Sequence, residues 1–429
     1  MKNLKFLVKT ILILSIIVPT AISCDNEPVD LSVNSELLIE KDSELYNLFI
    51  RMTETSENPL VDIVCIRFNY SFLIFTYDEN REIIDETVVT NDSHFFTFLD
   101  NLPENHSISL SYPIETVLDD GTPFSINSNE ELKNAINGCA QDAIIGYCNG
   151  LFLSQQCVWK VPFIDGEDNA YASGVFSVNN NTSVSFDFQN NVYTGTWIFF
   201  FINDVLNFNI NLAGNSRVAQ DWNFNFNVEL QEGVLILTSD TNNYTLKKYC
   251  KFMDEIEVGQ QTPLGGIVAY DKEIYEKGWR YIETHTADLS SEEWGCLSAD
   301  ITFANSEEIG KGFLNSASIA NYHLGLDDYQ NNPAVCNAEN NGSASALSAL
   351  LFGQNEGAYY DWFLPSIEEL QTLYDNLHLE GLGNFENAIY WSSTQLSESH
   401  GKALDFSTGE IVEIPKNSSN IKTRIIRYF

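Results

Sequence analysis

The sequence predicts a multidomain, mostly-β protein in which a β-sandwich-like module and a β-meander or small barrel precede a mixed α+β domain. Three observations carry that expectation. The chain has 429 residues, and at about 150 residues per domain this suggests roughly three folding units. It is 44% apolar and 19% charged, a balance that builds packed cores rather than a disordered chain. Aromatics reach 13%, with 28 Phe and 19 Tyr, and these residue types favour strands.

Three blocks, 35–140, 150–252 and 258–429, differ in pattern. In the first, Val61 to Tyr77 reads as long apolar strand material. Phe95-Phe96-Thr97-Phe98 is a second strand candidate, and Asp119-Asp120-Gly121 marks a turn. One clear helix is predicted, with Ser128 as N-cap, Glu131 three residues on, then Leu132, Ala135 and Ile136. The second block alternates with period two in Ser183–Phe188, Asn207–Leu212 and Asn223–Val228. Gly195-Thr196-Trp197, Leu235–Leu237 and Tyr244–Lys247 continue a run of short strands between Asn, Gly and Asp turns, as in a small meander or partly closed barrel. At this strand count the interior is expected to be filled by the barrel's own aromatics. In the third block Ser366 and Glu369 form a capping box after Pro365. Ile367, Leu370, Leu373, Tyr374 and Leu377 then line one helical face. Trp362 and Trp391 are read as core residues. The Gly-rich Glu380–Gly383 stretch reads as a loop or C-cap.

Charge narrows the function. Lys and Arg number 22 against 60 Asp and Glu, for a formal charge of −38. Such a surface repels phosphate backbones and anionic headgroups, so no nucleic-acid partner is expected.

Lys2, Lys5 and Lys9 precede the apolar run Ile11–Val18, which is too short to span a bilayer, and Ala21-Ile22-Ser23 offers small residues for cleavage. Followed by Cys24, this order resembles the lipobox of bacterial lipoproteins. The resemblance implies a signal peptide over 1–23, lipidation at Cys24 and an acidic tether over 24–34. The acidic residues after Cys24 resemble surface-export signals of some Gram-negative lipoproteins. They imply a partner in the outer membrane through the lipid anchor, facing outward. Seven other cysteines remain, so at most three bridges form and one thiol stays free, and no CxxC pair suggests zinc or redox chemistry. Export makes disulfides the default.

Family resemblances refine the blocks. Ser111-Tyr112-Pro113-Ile114 through Asp120-Gly121 to Ser128–Leu132 resembles a small β module recurrent in such lipoproteins. Cys157-Val158-Trp159-Lys160, Gly195-Thr196-Trp197, Asp221-Trp222 and Leu246-Lys247-Lys248 resemble, in that order, the lipocalin-like modules of the same class. That module's closure implies a Cys157–Cys250 bridge between its first and last strands. In the third block, Gly265–Tyr270, Trp294-Gly295-Cys296, Asp361–Leu370, Tyr390-Trp391-Ser392-Ser393-Thr394 and Arg424–Arg427 resemble the Lcl C-terminal domain family. That family is named for a bacterial collagen-like adhesin and is related to the C-type-lectin-like fold of formylglycine-generating enzymes. The resemblance implies a Cys296–Cys336 bridge, while Cys65, Cys139 and Cys148 cannot be assigned among themselves.

Enzyme readings find little support. The reactive Cys pair of formylglycine-generating enzymes has no counterpart near the C-terminus, since the last Cys is Cys336. There is no HExxH, GxSxG or P-loop, the six His lack metal-ligand spacing, and Asp327-Asp328 with Asn331-Asn332 lacks an EF-hand pattern. No catalytic residue, metal or cofactor is therefore assigned. The expected function is non-catalytic binding of an extracellular glycan or protein by the lectin-like domain. The alternative is a structural or small-apolar-ligand carrier using the lipocalin-like module. Within the third block the connection from Gln395 to Asn420 is read as a long polar loop, with Glu398, His400 and Asn417 as its ligand candidates. The block holds 24 acidic against 9 basic residues, which favours a cationic or neutral polar ligand.

Overall fold

The computed structural model describes residues 37–53, 60, 63, 65–118, 121–153, 156–231, 233–252, 254–263, 265–352, 354 and 361–429. The leader, Cys24, the tether, and Asp119 and Asp120 of the predicted turn lie outside them. Two compact units result, the first ending at Ala140 and the second running Gln141–Phe429. The protein is mostly β, with a closed eight-stranded barrel in the second unit. Among the described residues no helix is long and apolar enough to cross a membrane.

The first unit runs β1 (Ile39–Glu40), α1 (Glu44–Thr53), β2 (Ile66–Phe68), β3 (Phe72–Tyr77), β4 (Ile83–Val89), α2 (Asp92–Asp100), β5 (Ser107–Leu110), β6 (Ile114–Leu118), β7 (Pro123–Ile126) and the start of α3 (Asn129–Phe152). It forms two antiparallel sheets, ordered β1-β5-β3-β4 and β2-β6-β7. The predicted Phe95–Phe98 strand is instead part of helix α2. Asn91 caps it by accepting the His94 N–H at 2.9 Å, and burial of Phe95 and Leu99 follows a one-turn spacing. Helix α1, which the sequence reading lacked, buries Leu45, Leu48, Phe49 and Met52 on one face. The apolar run to Tyr77 is split between β2 and β3. Ser128 caps α3 as expected, accepting the Glu131 N–H at 3.1 Å. The Cys65–Cys139 disulfide ties the entry to β2 to this helix.

In the second unit the barrel comprises β8 (Cys157–Lys160), β9 (Val175–Val178), β10 (Ser183–Phe188), β11 (Asn191–Ile202), β12 (Val205–Leu212), β13 (Asn225–Gln231), β14 (Val234–Thr238) and β15 (Asn243–Cys250). Helix α4 (Arg217–Trp222) interrupts it between β12 and β13, so Asn223 and Phe224 are not strand. Every neighbouring pair is antiparallel, and β15 closes on β8 with Cys250 opposite Cys157, where the disulfide forms. The end of α3 plugs the interior: Phe152 packs against Trp159, Trp197, Phe199 and Phe208. Trp222 stacks on Tyr244 at 4.2 Å and meets Phe176 edge-on. Eight strands enclose just enough room for such side chains.

The C-terminal part runs β16 (Ile267–Glu276), β17 (Trp279–Thr284), α5 (Gly312–Leu324), α6 (Ser345–Leu351), α7 (Ile367–Leu373), β18 (Ile389–Gln395), β19 (His400–Asp405), β20 (Glu410–Pro415) and β21 (Ile426–Tyr428). Its sheets are β16-β17-β21, which joins the first strands of the block to the last, and β18-β19-β20. The 395–420 segment is therefore not one long loop. It holds strands β19 and β20, because Ala403 is buried in one core cluster with Trp294 and Trp391, Leu404 and Phe406 are buried in another, and the β19–β20 register pairs six residues. The core of this part also takes in Phe163 and Ala172 from the segment between β8 and β9.

Candidate functional site

The two aromatic motifs of the C-terminal part interlock. Ser366 and Glu369 make the capping box of α7. Ile367 N–H, the first helical donor, goes to Thr394 Oγ1 at 3.0 Å, and Ser393 N–H goes to Pro365 O at 2.7 Å. Trp391 is fully buried and donates its indole N–H to Glu292 O at 3.0 Å. Trp362 is also buried. Neither indole is available as a sugar-stacking platform. Glu369 accepts from Ser366 N–H, Gly310 N–H and the Tyr428 hydroxyl. Burial nevertheless raises its pKa, against the lowering effect of those donors. A Cβ at Gly312 would stand 2.2 Å from the Glu369 carboxylate, so this close approach requires glycine there.

The Trp294-Gly295-Cys296 step has an equally local cause. Trp294 donates its indole N–H to Ser392 O at 2.9 Å. Gly295, at φ +145°, lies flat on the His323 ring, where a Cβ would come within 2.5 Å. Cys296 donates its N–H to His323 Nε2 at 2.9 Å while Nδ1 bonds Ile319 O at 2.7 Å. This pattern fits neutral imidazole, and burial pulls its pKa down to about 4. Cys296 is joined to Cys336. The remaining Cys148 is a buried free thiol whose pKa burial raises to about 11, which makes it unreactive.

The predicted ligand residues do come together. His400 pairs with Pro415 and Lys416 N–H donates to Ser399 O, so the turns carrying Glu398 and Asn417 adjoin. Glu398 is exposed, and His400 and Asn417 are half-buried. Beneath them Lys416 is fully buried. Its ammonium donates to Ala299 O and Gln395 Oε1, both at 2.7 Å, and sits 4.5 Å over the Trp294 ring. Desolvation lowers its pKa to about 7, opposed by Asp300 and Glu398. With its donors occupied, Lys416 acts as a pin for this end of the sheet.

A second concavity escaped the sequence reading. It lies along the seam where the barrel meets the C-terminal part, has a volume of about 100 Å³, and is lined by residues including Lys160, Lys277, Lys311, Trp279, Phe313 and Tyr428. Trp279 stacks on Tyr428 at 4.6 Å to form an apolar wall. Lys277 pairs with Asp187 at 2.5 Å, and Lys311 donates to Asn190 Oδ1. The Lys160 ammonium lies 4.1 Å over the Tyr249 ring. Its desolvation lowers the pKa to about 8, with Asp361 raising and Lys272 lowering it further. The seam is also fastened by Tyr275 to Tyr249 O at 2.9 Å and Asn321 to Asn169 O at 2.8 Å. Lys160 stands in the Cys157-Val158-Trp159-Lys160 stretch, but nothing along the chain connects it with Lys277 and Lys311.

No family model matches the chain, and no curated protein does. Among solved structures, a fimbrial protein from Bacteroides ovatus ATCC 8483 is similar at 11% identity and a TM-score of 0.30, covering 84% of this chain and 94% of its own. A likeness of that size assigns neither family nor function.

Proposed function

We propose that the protein is a lipid-anchored outer-membrane surface protein that binds an extracellular glycan or protein ligand through its C-terminal part, without catalysis or a cofactor. The observation that carries this reading is the set of three disulfides, Cys65–Cys139, Cys157–Cys250 and Cys296–Cys336. Such bridges persist in oxidising compartments outside the cytoplasm. The lipobox-like order ending in Cys24 supplies the anchor. The sharing of one sheet by β16, β17 and β21, with the interlocked Trp362–Ser366 and Tyr390–Thr394 motifs, supports a lectin-like domain of the Lcl C-terminal type. The adjoining turns of Glu398, His400 and Asn417 are its ligand face. The aromatic packing inside the barrel speaks against the carrier alternative.

Because Phe163 and Ala172 belong to the core of the C-terminal part, binding is tested on the full chain. A glycan array and a panel of extracellular proteins are expected to give hits that weaken when Glu398, His400 and Asn417 are replaced together. Hits unaffected by the triple variant would overturn the ligand face. Cys24→Ser is expected to release the protein from the detergent phase, and its retention there would overturn the anchor.

A further inference from the structure

We infer that the seam cleft is a second binding site, one that takes a small carboxylate group. It shares no residue with the Glu398–His400–Asn417 face. Acidic residues outnumber basic ones by 60 to 22 in this chain, so a cavity wall carrying three lysines and one acidic residue, Asp187, runs against the composition.

Two of those lysines have no carboxylate partner within ion-pair distance among the described residues. Lys160 lies over the Tyr249 ring, with Asp361 acting on it from beyond ion-pair distance, and Lys311 donates to the neutral amide oxygen of Asn190. Desolvating a cation without a directly paired carboxylate is unfavourable, and an incoming anion in contact with it relieves part of that cost. Lys160 is held in place from both sides. The register sets it opposite Lys247, and the turn at Gly278 lies so near that a Cβ would come within 2.6 Å of Lys160 Cε.

The form of the site selects the ligand class. A volume of about 100 Å³ suits a carboxylate with a short carbon body, since an apolar cavity of roughly 150 Å³ holds benzene. The stacked Trp279–Tyr428 wall and Phe313 suit that carbon body. The cleft does not provide the donor cradle of a phosphate site. The N–H of Gly310, just ahead of α5, is already taken by Glu369, and no arginine lines the cavity.

The test uses the full chain in detergent, with propionate and its neutral isostere propionamide followed by saturation-transfer NMR. Propionate is expected to bind in the millimolar range and propionamide about tenfold or more weakly. Lys160→Met and Lys311→Gln are each expected to weaken propionate about fivefold or more. Equal binding of the two probes overturns the proposal. So does propionate binding that both variants leave unchanged, or its absence at about 50 mM, well above the Kd expected of a weak site. Should Lys160→Met fail to fold by circular dichroism, Lys311→Gln decides alone, because Lys311 is half-exposed and outside the barrel.

Discussion

Thr394 Oγ1 accepts the N–H of Ile367 at 3.0 Å and donates to Ser306 O at 3.0 Å. One hydroxyl thus joins β18, the first turn of α7 and the segment before α5. Thr394→Val keeps the shape and leaves the buried Ile367 N–H unsatisfied, while Ser306 O keeps the Asn315 amide at 2.7 Å. A loss of about 1–3 kcal/mol is expected in urea unfolding. A variant as stable as the parent would show that water or a neighbour replaces the hydroxyl.

His323 predicts an acid-side loss of stability. Its pKa falls from 6.5 in the unfolded chain to about 4 in the fold, so the unfolded state binds the extra proton. The contribution is complete above pH 6.5 and disappears as pH falls from 6.5 toward 4, by about 3 kcal/mol. His323→Gln should flatten the stability curve in that window. An unchanged slope would place the titration elsewhere.

The Cys157–Cys250 bridge closes a separation of 93 residues. In the chain-entropy model its removal costs about 4–5 kcal/mol. Cys157→Ala with Cys250→Ala should therefore lower the unfolding midpoint strongly, and non-reducing peptide mapping of the parent should recover this pair. Mapping that joins either cysteine elsewhere would refute the closure.

Phe208 is fully buried and packs against Phe152, Trp197 and Phe199. Phe208→Ala is expected to cost about 3–5 kcal/mol and to open an apolar void. The parent should not bind an apolar dye such as ANS, and the variant should. Saturable dye binding by the parent would revive the carrier reading.

Gly278 turns at φ +78° against Val158 and Lys160. Gly278→Ala meets both a disfavoured backbone and the stiff branched side chain of Val158, with the Lys160 chain end free to shift, and should cost about 1–3 kcal/mol. Propionate affinity should fall with it, as Lys160 is pushed aside. Unchanged affinity would mean that Lys160 does not set the site.

Where a signal is local, the sequence alone determined the outcome. The Ser366–Glu369 capping box needs only its own turn, and period-two alternation in Ser183–Phe188 needs only a strand with one buried face. The parity of the cysteines required one free thiol, and resemblance to known modules pointed to two of the three pairs. Short apolar runs were ambiguous. Phe95–Phe98 suits a strand or a helix equally, and the Asn91 cap with Leu99 one turn after Phe95 was the signal that tips it. The 395–420 segment reads as a loop because its strands are rich in polar residues, and Ala403 and Leu404, on opposite faces, become buried only once the two neighbouring core clusters exist. The seam cleft was decided by tertiary structure alone. Lys160, Lys277 and Lys311 belong to different elements of the second unit, and the charge environment of a lysine depends on what is near it in space. Barrel closure and the packing of β16, β17 and α5 against it bring these three together and leave two without a carboxylate at ion-pair distance among the described residues, a relation that no stretch of the chain encodes locally.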